Sequence, residues 1–216
     1  KNFNIGKKAT VEFSQPNKSS IAVNRVTGSN QDPTKILGTL KSNGTVMVLD
    51  RNGVIFGKDS VVDVGGIIAS TGNINDDEFM DGNNVLTFHD IDTKGSIIHE
   101  GTMTVAEGGL AAFVAPHVKN NGVIQAKMGR VALASGTKAT IDLYGDGLIE
   151  IAVDDELSEA LIDNDGVIEA NGGQVLITVP TAKNITDNMI NMQGVIDVSS
   201  ATQGGGKIVL EGGNIE

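Results

Sequence analysis

Apolar and polar positions alternate along this chain in short runs, and glycine separates the runs. The stretch Ser42 to Thr71 sets the pattern: TVMVL, then VIFG, then VVDV running through Gly65-Gly66 into IIAS. Between the turns the residues are β-branched or apolar over the length of a buried strand, and no helical period fits. Asn43-Gly44 and Asn52-Gly53 mark tight turns, because both residue types tolerate positive φ. Upstream, Val11 with Phe13 and Ile21 with Val23 keep a spacing of two, and Ile36 to Leu40 adds a further short run. Residues 72–94 break the rhythm: they are acidic and loop-like, and predict an excursion with a small hairpin around Val85 to Phe88.

From Gly95 a repeat takes over. One series starts with glycine and then alternates, at Gly101, Gly122, Gly147, Gly166 and Gly194, with spacings between 19 and 28 residues. A second, offset series starts at Gly109, Gly129, Gly173 and Gly206, and only the Gly147 unit lacks a follower. Two short strands per period of this length predict a solenoid. The Leu-x-x-Leu-x-Leu frame of leucine-rich repeats is absent, so the prediction is an all-β parallel β-helix. About nine coils at the interstrand spacing would form a rod of roughly 45 Å. Alternation turns Ile124, Ala126, Val131 and Leu133 inward, with Ile168, Ala170, Val175, Ile177, Ile196, Val198, Ile208 and Leu210. It turns Gln125, Arg130, Glu169, Gln174, Asp197 and Lys207 outward. Loops are expected at Thr137 to Asp146, Asp154 to Asp163 and Ser199 to Gly205, where a regular coil carries its variation.

Composition narrows the partners. The net charge of −11 and the scattered 16 Lys and Arg argue against nucleic acid and against anionic membrane surfaces. No run reaches transmembrane length, so no membrane insertion is expected. Without cysteine, thiol catalysis and Cys zinc sites are excluded. No signal peptide is visible at Lys1, and the chain opens on what reads as a strand, so a mature or trimmed fragment is expected.

Candidate chemistry is sparse. His89, His99 and His117 lie in separate segments and show no convergence towards a metal. Asp76, Asp77, Glu78 and Asp81 lack calcium-loop spacing and read as a solvated loop. Asp142, Glu150, Glu169 and Asp197 supply outward or loop carboxylates of the kind polysaccharide-degrading β-helices use. Only three Arg accompany them, at 25, 51 and 130, and no motif pins a catalytic pair. No enzyme, cofactor or metal is therefore expected.

Two short stretches go beyond fold grammar: Asn24-Arg25-Val26, and Leu49 to Gly57 (LDRNGVIFG) followed by Gly65 to Thr71 (GGIIAST). With FNIGKKATVEFSQP and ILGTLKSNGTVMVL they resemble, in order and spacing, the haemagglutination-activity domain of two-partner secretion exoproteins. This is the N-terminal secretion domain of the filamentous haemagglutinin family. The resemblance spans residues 2–71 closely and the later repeats more loosely. It implies one domain over 1–216, with motif-bearing coils at 1–71, an extra-helical insertion at 72–94 and repeat coils at 95–216. The implied fold is a right-handed parallel β-helix with extra-helical hairpins or loops, whose first coil here lacks the usual cap. The implied partner is an outer-membrane TpsB-type transporter, whose POTRA domains recognise the chain in the periplasm of a Gram-negative bacterium. The product is then secreted or held at the cell surface, where the full-length exoprotein meets the host cell surface.

The family's Asn-Pro-Asn-Gly is here Asp50-Arg51-Asn52-Gly53. Arg does not preset φ as Pro does, while Asp suits the first position of a turn. For Asn24, Arg25 and Val26, and for Asp50, Arg51, Asn52 and Gly53, two readings stand: recognition by the transporter, or turns and strand ends that shape the coil. Two other functions stand beside export: adhesion to a host glycan or protein, and polysaccharide degradation.

Overall fold

The computed structural model describes residues 2–28, 31–91, 94–143, 149–152, 161–179, 190–200 and 206–211. Within them the chain makes seven coils. The first holds β1 (Thr10–Phe13) and β2 (Ile21–Arg25), and Ile5 adds a parallel bridge to Ile36 on its remaining side. The second holds β3 (Thr34–Ile36), β4 (Thr39–Ser42) and β5 (Thr45–Leu49). The third holds β6 (Gly53–Phe56), β7 (Val61–Val64) and β8 (Gly66–Ser70). An excursion follows, with α1 (Asp76–Met80) and β9 (Val85–Phe88). The fourth coil is β10 (Ser96–His99), β11 (Thr102–Val105) and β12 (Leu110–Val114). The fifth is β13 (His117–Asn120), β14 (Val123–Gln125) and β15 (Arg130–Ala134). A second excursion carries β16 (Lys138–Asp142) and β17 (Ile149–Ala152). The sixth coil is β18 (Leu161–Asn164), β19 (Val167–Glu169) and β20 (Gln174–Thr178), and the seventh β21 (Ile190–Met192), β22 (Val195–Asp197) and β23 (Lys207–Glu211).

Successive coils stack into three parallel sheets. Sheet 1 runs β3-β6-β10-β13-β18-β21, sheet 2 β1-β4-β7-β11-β14-β19-β22, and sheet 3 β2-β5-β8-β12-β15-β20-β23. The two glycine series are two of these sheets. Met103, Ile124, Ile168 and Ile196 align in sheet 2, and Ala111, Val131, Val175 and Ile208 align in sheet 3. At the corner before sheet 2 the glycines also stack. A Cβ on Gly122 would lie 2.3 Å from the Gly101 carbonyl oxygen, and one on Gly166 2.3 Å from that of Gly122.

Several expectations change. The second to seventh coils have three strands each, not two: the sheet 1 strands His117–Asn120, Leu161–Asn164 and Ile190–Met192 carry no leading glycine to announce them, and Gly95 before Ser96–His99 stands outside both glycine series. There are seven coils among the described residues rather than about nine, since the two excursions spend residues outside the stack. The apolar run after Ser60 is two strands with a corner at Gly65, where a Cβ would sit 2.8–2.9 Å from the backbone of Asn43 and Gly44. The expected loop at Thr137 to Asp146 contains β16, and the one at Asp154 to Asp163 ends inside β18. The Gly147 unit supplies no coil strand: its Ile149–Ala152 segment pairs antiparallel with β16. Gly147 itself and residues 144–146, 154–160 and 201–205 of the expected loops lie outside the described residues. Val85 to Phe88 is a strand, but it pairs with β16, Ala139 facing Phe88 and Ile141 facing Leu86, rather than closing a local hairpin. The acidic run is helical over Asp76–Met80, capped by the Asn75 side chain accepting from the Asp77 amide.

The interior separates into two apolar clusters. Inside the coils, Ile124, Ala126, Val131, Leu133, Ile168, Ala170, Val175 and Ile177 are buried as alternation requires. Ile196 and Val198 pack partly against them. Ile208 and Leu210 keep the inward register, yet are 44% and 37% exposed, since no described coil stacks beyond β23. The second cluster lies on the outer face of sheet 3: Met47, Leu49, Ile68, Leu110, Ala112, Val114, Ala132 and Ala134. Ile74, Leu86, Phe88, Ile91, Ala139, Ile141 and Leu143 complete it. β9, β16 and β17 thus form a three-stranded cover sheet. Burying a side chain such as Phe88 under it contributes roughly 1.5–3 kcal/mol.

Candidate functional site

The two motif segments occupy successive coils at one end of sheet 3. Asn24 lies on the inward column, in register with Val48 and Ala69. A polar residue is tolerated there because its amide nitrogen donates to the Ala22 and Met47 carbonyls, at 3.2 Å each. Arg25 takes the outward column and reaches across to the first excursion. Its Nη2 donates to Asp76 Oδ1 at 2.6 Å and to the Ile74 carbonyl at 3.1 Å, and its Nη1 to Asp76 Oδ2 at 3.2 Å. This bidentate pair holds the Arg25 guanidinium above its usual range and the Asp76 carboxyl below its own, chiefly through the shared hydrogen bond. The Val26 amide donates to the Leu49 carbonyl, continuing the ladder past the strand end.

One coil on, Asp50 is nearly fully buried at the corner between sheets 3 and 1. Its Oδ2 accepts from the Thr34 amide at 3.0 Å and the Thr34 hydroxyl at 2.8 Å. Its Oδ1 accepts from the Asn52 amide and side chain at 3.0 and 3.1 Å, and its carbonyl closes the turn by accepting from the Gly53 amide at 2.9 Å. Four donors on one carboxylate replace the rigidity a proline would bring. Gly53 has φ +114°, and a Cβ there would lie 2.3 Å from the Ser96 carbonyl oxygen, so only glycine fits. Arg51, at the tip of the turn, is exposed.

Between the two segments lies a cavity of about 290 Å³, lined by Arg25, Val26, Thr27, Leu49, Arg51, Thr71, Gly72, Asn73 and Asp90. The structure therefore brings Arg25, Val26 and Arg51 to one place. Asn24, Asp50, Asn52 and Gly53 are not on its wall and shape the backbone that forms it. Sequence reasoning missed the opposite wall. Asn73 pairs with His89 through reciprocal backbone hydrogen bonds, and Asp90, at φ +53°, accepts from or is bridged to His89 Nδ1 at 2.8 Å. The available signal was the Asn73 and Asp90 turn chemistry at either end of the excursion.

The other histidines lie elsewhere. His117 is half-buried at the start of β13. His99 is fully buried inside the coils, its ring edge-on to Phe56 at 5.9 Å and tilted against Phe113 at 6.1 Å. Its Nδ1 lies 2.7 Å from Asn120 Oδ1, and Asn120 Nδ2 donates to Asn164 Oδ1 at 2.7 Å, one amide per coil. His99 Nε2 has no hydrogen-bond partner, and burial pushes its pKa down. Of the expected outward carboxylates, Glu169 and Asp197 are adjacent rungs of sheet 2, and Asp142 ends β16 on the cover. Glu169 accepts from Gln125 Nε2 at 2.9 Å, and Asp197 from Ser199 and Asn171. They are held in ladders along the stack.

A single parallel coil stack with one face clasped by its own excursions defines the class of this protein: an extended β-helix whose distinctive residues sit at the corners of its first coils. The chain belongs to the TPS secretion domain family, whose model matches residues 1–216. It is similar to two heme/hemopexin-binding proteins of Haemophilus influenzae, each at 29% identity. The matches cover 99% and 100% of this chain but 24% and 25% of those proteins. The chain thus spans about a quarter of the length of the curated relatives it matches. It is also similar to the crystal structure of the HMW1 secretion domain from Haemophilus influenzae: the TM-score is 0.82 at 30% identity, over 97% of this chain and 53% of that one. The expected parallel β-helix and secretion-domain role both hold. Proteins carrying this domain are secreted exoproteins of Gram-negative bacteria, and the domain implies a TpsB-type transporter as partner.

Proposed function

We propose that this domain is a non-enzymatic export label, read in the periplasm by the POTRA domains of its TpsB-type transporter, and the nucleus on which the remaining coils fold. The observation that carries the reading is the convergence of Arg25, Val26 and Arg51 around one cavity. Residues from two motifs, about 25 positions apart at the rise of one coil, meet only when the first coils are wound. Among the described residues β1 and β2 are end strands of sheets 2 and 3 at the same end of the stack, and their outer edges offer backbone donors and acceptors to a partner strand. A folded coil presents its edge as template to the next, which favours net outward movement without nucleotide hydrolysis.

The test is binding of the full chain, and of its Arg51→Glu variant, to the soluble POTRA domains of the cognate transporter. Arg51 is exposed at a turn tip, and the fold of the variant is checked by circular dichroism alongside the binding measurement. At least a tenfold loss of affinity, with secretion falling in parallel, is expected. Undiminished binding and secretion by the variant would remove this corner from the recognised surface. A glycan-array screen distinguishes adhesion, the other reading, which predicts a ligand in the absence of any transporter.

A further inference from the structure

Two residues lining the cavity between the motifs carry hydrogen-bonding groups that the chain itself does not satisfy. Arg25 engages Asp76 and the Ile74 carbonyl through Nη1 and Nη2. Its Nε is buried and has no hydrogen-bond partner among the described residues. Thr71, which also lines the cavity, is 1% exposed, and its hydroxyl is likewise buried without a partner. Leaving such groups unpaired is unfavourable, so two of them on the lining of one cavity call for an acceptor from outside the chain. Arg51 brings a second guanidinium to the same lining from its turn tip, at the position where the family pattern has proline. The carboxylates nearby are engaged already, Asp76 with Arg25 and Asp90 with His89.

Resting on the export reading above, we infer that this cavity is the seat of a carboxylate side chain, Asp or Glu, carried by the POTRA domains of the transporter. A carboxylate only accepts, offers two oxygens, and matches the fork of a guanidinium. Asp76 and Asp90 close by favour a singly charged guest over a phosphate. At about 290 Å³ the cavity lies just under the roughly 300–1,000 Å³ of small-molecule sites, a size suited to an inserted side chain. On a chain of net charge −11 an acidic group is repelled elsewhere, so this seat fixes where the partner docks. Arg51 then makes the contact selective, because a relative with proline there offers the same turn without the second guanidinium.

Affinity for the soluble POTRA domains of the cognate transporter is measured for the native chain, Thr71→Val, Arg51→Gln and Arg51→Pro, with the fold of each checked by circular dichroism. Thr71→Val keeps the side-chain shape and removes a hydroxyl that nothing in the chain bonds. Its thermal midpoint is expected to stay or rise while its affinity falls at least threefold, a split that a purely structural role does not produce. Arg51→Gln and Arg51→Pro, the latter at a turn position that accepts proline, are each expected to bind at least tenfold more weakly. The exposed Asp and Glu of the POTRA domains are then exchanged in turn for Asn and Gln. One exchange is expected to weaken the native chain at least tenfold and to leave the affinity of Arg51→Gln unchanged, since the pair is already broken. Native-like affinity of Thr71→Val and Arg51→Gln, or the absence of any exchange that couples to Arg51, overturns the carboxylate seat, and continued impairment of Arg51→Glu then leaves the export reading standing. No binding by the native chain overturns both.

Discussion

Two neighbouring strands of the third coil show how burial is written into this chain. β7 alternates, with Val61 and Asp63 exposed and Val62 and Val64 buried. β8, two residues on, is buried at all five positions. Both are parallel strands of similar length in regular stacks. They differ in what lies outside: solvent for sheet 2, the cover for sheet 3. Alternation therefore records one buried face, and an unbroken apolar strand records two. The second pattern, already present in β5 (Val46 to Leu49), is the sign in the chain that something must lie over sheet 3.

If the coils are one cooperative unit and the cover a second resting on it, substitutions should sort accordingly. The largest effect is expected for Gly166→Val. Its Cβ would sit 2.3 Å from the Gly122 carbonyl oxygen and 2.9 Å from two further backbone atoms. No side-chain movement relieves a clash of backbone with backbone, so a loss above about 4 kcal/mol is expected. Denaturant unfolding should find little folded protein, and a native-like midpoint would show that the stacked corners are not rigid. Next come two phenylalanines, both wholly buried, one in each cluster. Phe113→Ala and Phe88→Ala should each cost about 3–5 kcal/mol locally. The first should lower the global midpoint by that amount. The second should mainly release the cover, with faster amide exchange at 85–88 and 138–142 and retained protection at 97–99 and 118–120. Uniform loss of protection in Phe88→Ala would merge the two units into one.

The coil stack was legible from its glycines because each one does a job no other residue can do at a corner where backbones touch. Sheet 1 was harder to read. Past Gly53 and Gly95 its strands have no leading glycine, and Leu161 to Asn164 looked like part of a polar loop. The cover was the least legible part. Val85 to Phe88 is recognisably a strand, but nothing local says that its partner lies at Lys138 to Asp142. Pairing over such a separation is decided by the fit of Leu86, Phe88, Ala139 and Ile141 to a face that exists only after the coils have formed. The missing follower of the Gly147 unit was the one local hint that residues after 136 leave the stack. At the site, Asn24 to Val26 and Asp50 to Gly53 were visible as motifs. The wall that joins them, from Thr71 to Asp90, belongs to an excursion whose course only the fold determines.

A pH titration sharpens the comparison from within the coils. His99 is buried against Phe56 and Phe113, accepts help from Asn120 alone, and feels Glu100 only weakly as a neighbouring charge. Its folded pKa lies below the unfolded value of 6.5, so the unfolded chain takes up the proton first. Stability from this residue is complete above that value and declines as pH falls beneath it. The thermal midpoint of the native chain is expected to drop between pH 7 and 5.5, and His99→Asn, which extends the amide ladder of Asn120 and Asn164, should flatten that drop. A slope that survives the substitution would assign the titration to another group.

The smallest effect is expected where the geometry looks strongest. Arg25 and Asp76 form a bidentate pair at the mouth of the cavity, but the Asp76 side chain is 75% exposed. Water and salt compete for such a pair, and the pair also costs the side chains their freedom. Because the Asp76 carboxyl is held below its ordinary range, its contribution is present at neutral pH and fades only as pH falls through the folded value, well into acid. Asp76→Asn should therefore leave the midpoint at pH 7 nearly unchanged, and whatever difference exists should vanish in high salt. Arg25 keeps its hydrogen bond to the Ile74 carbonyl in the variant, and Phe79 still packs against the second cluster. Amide exchange at 85–88 should match the native chain, in contrast to Phe88→Ala. Release of the cover by Asp76→Asn would mean that a surface charge pair, and not the apolar face of sheet 3, holds the second unit in place.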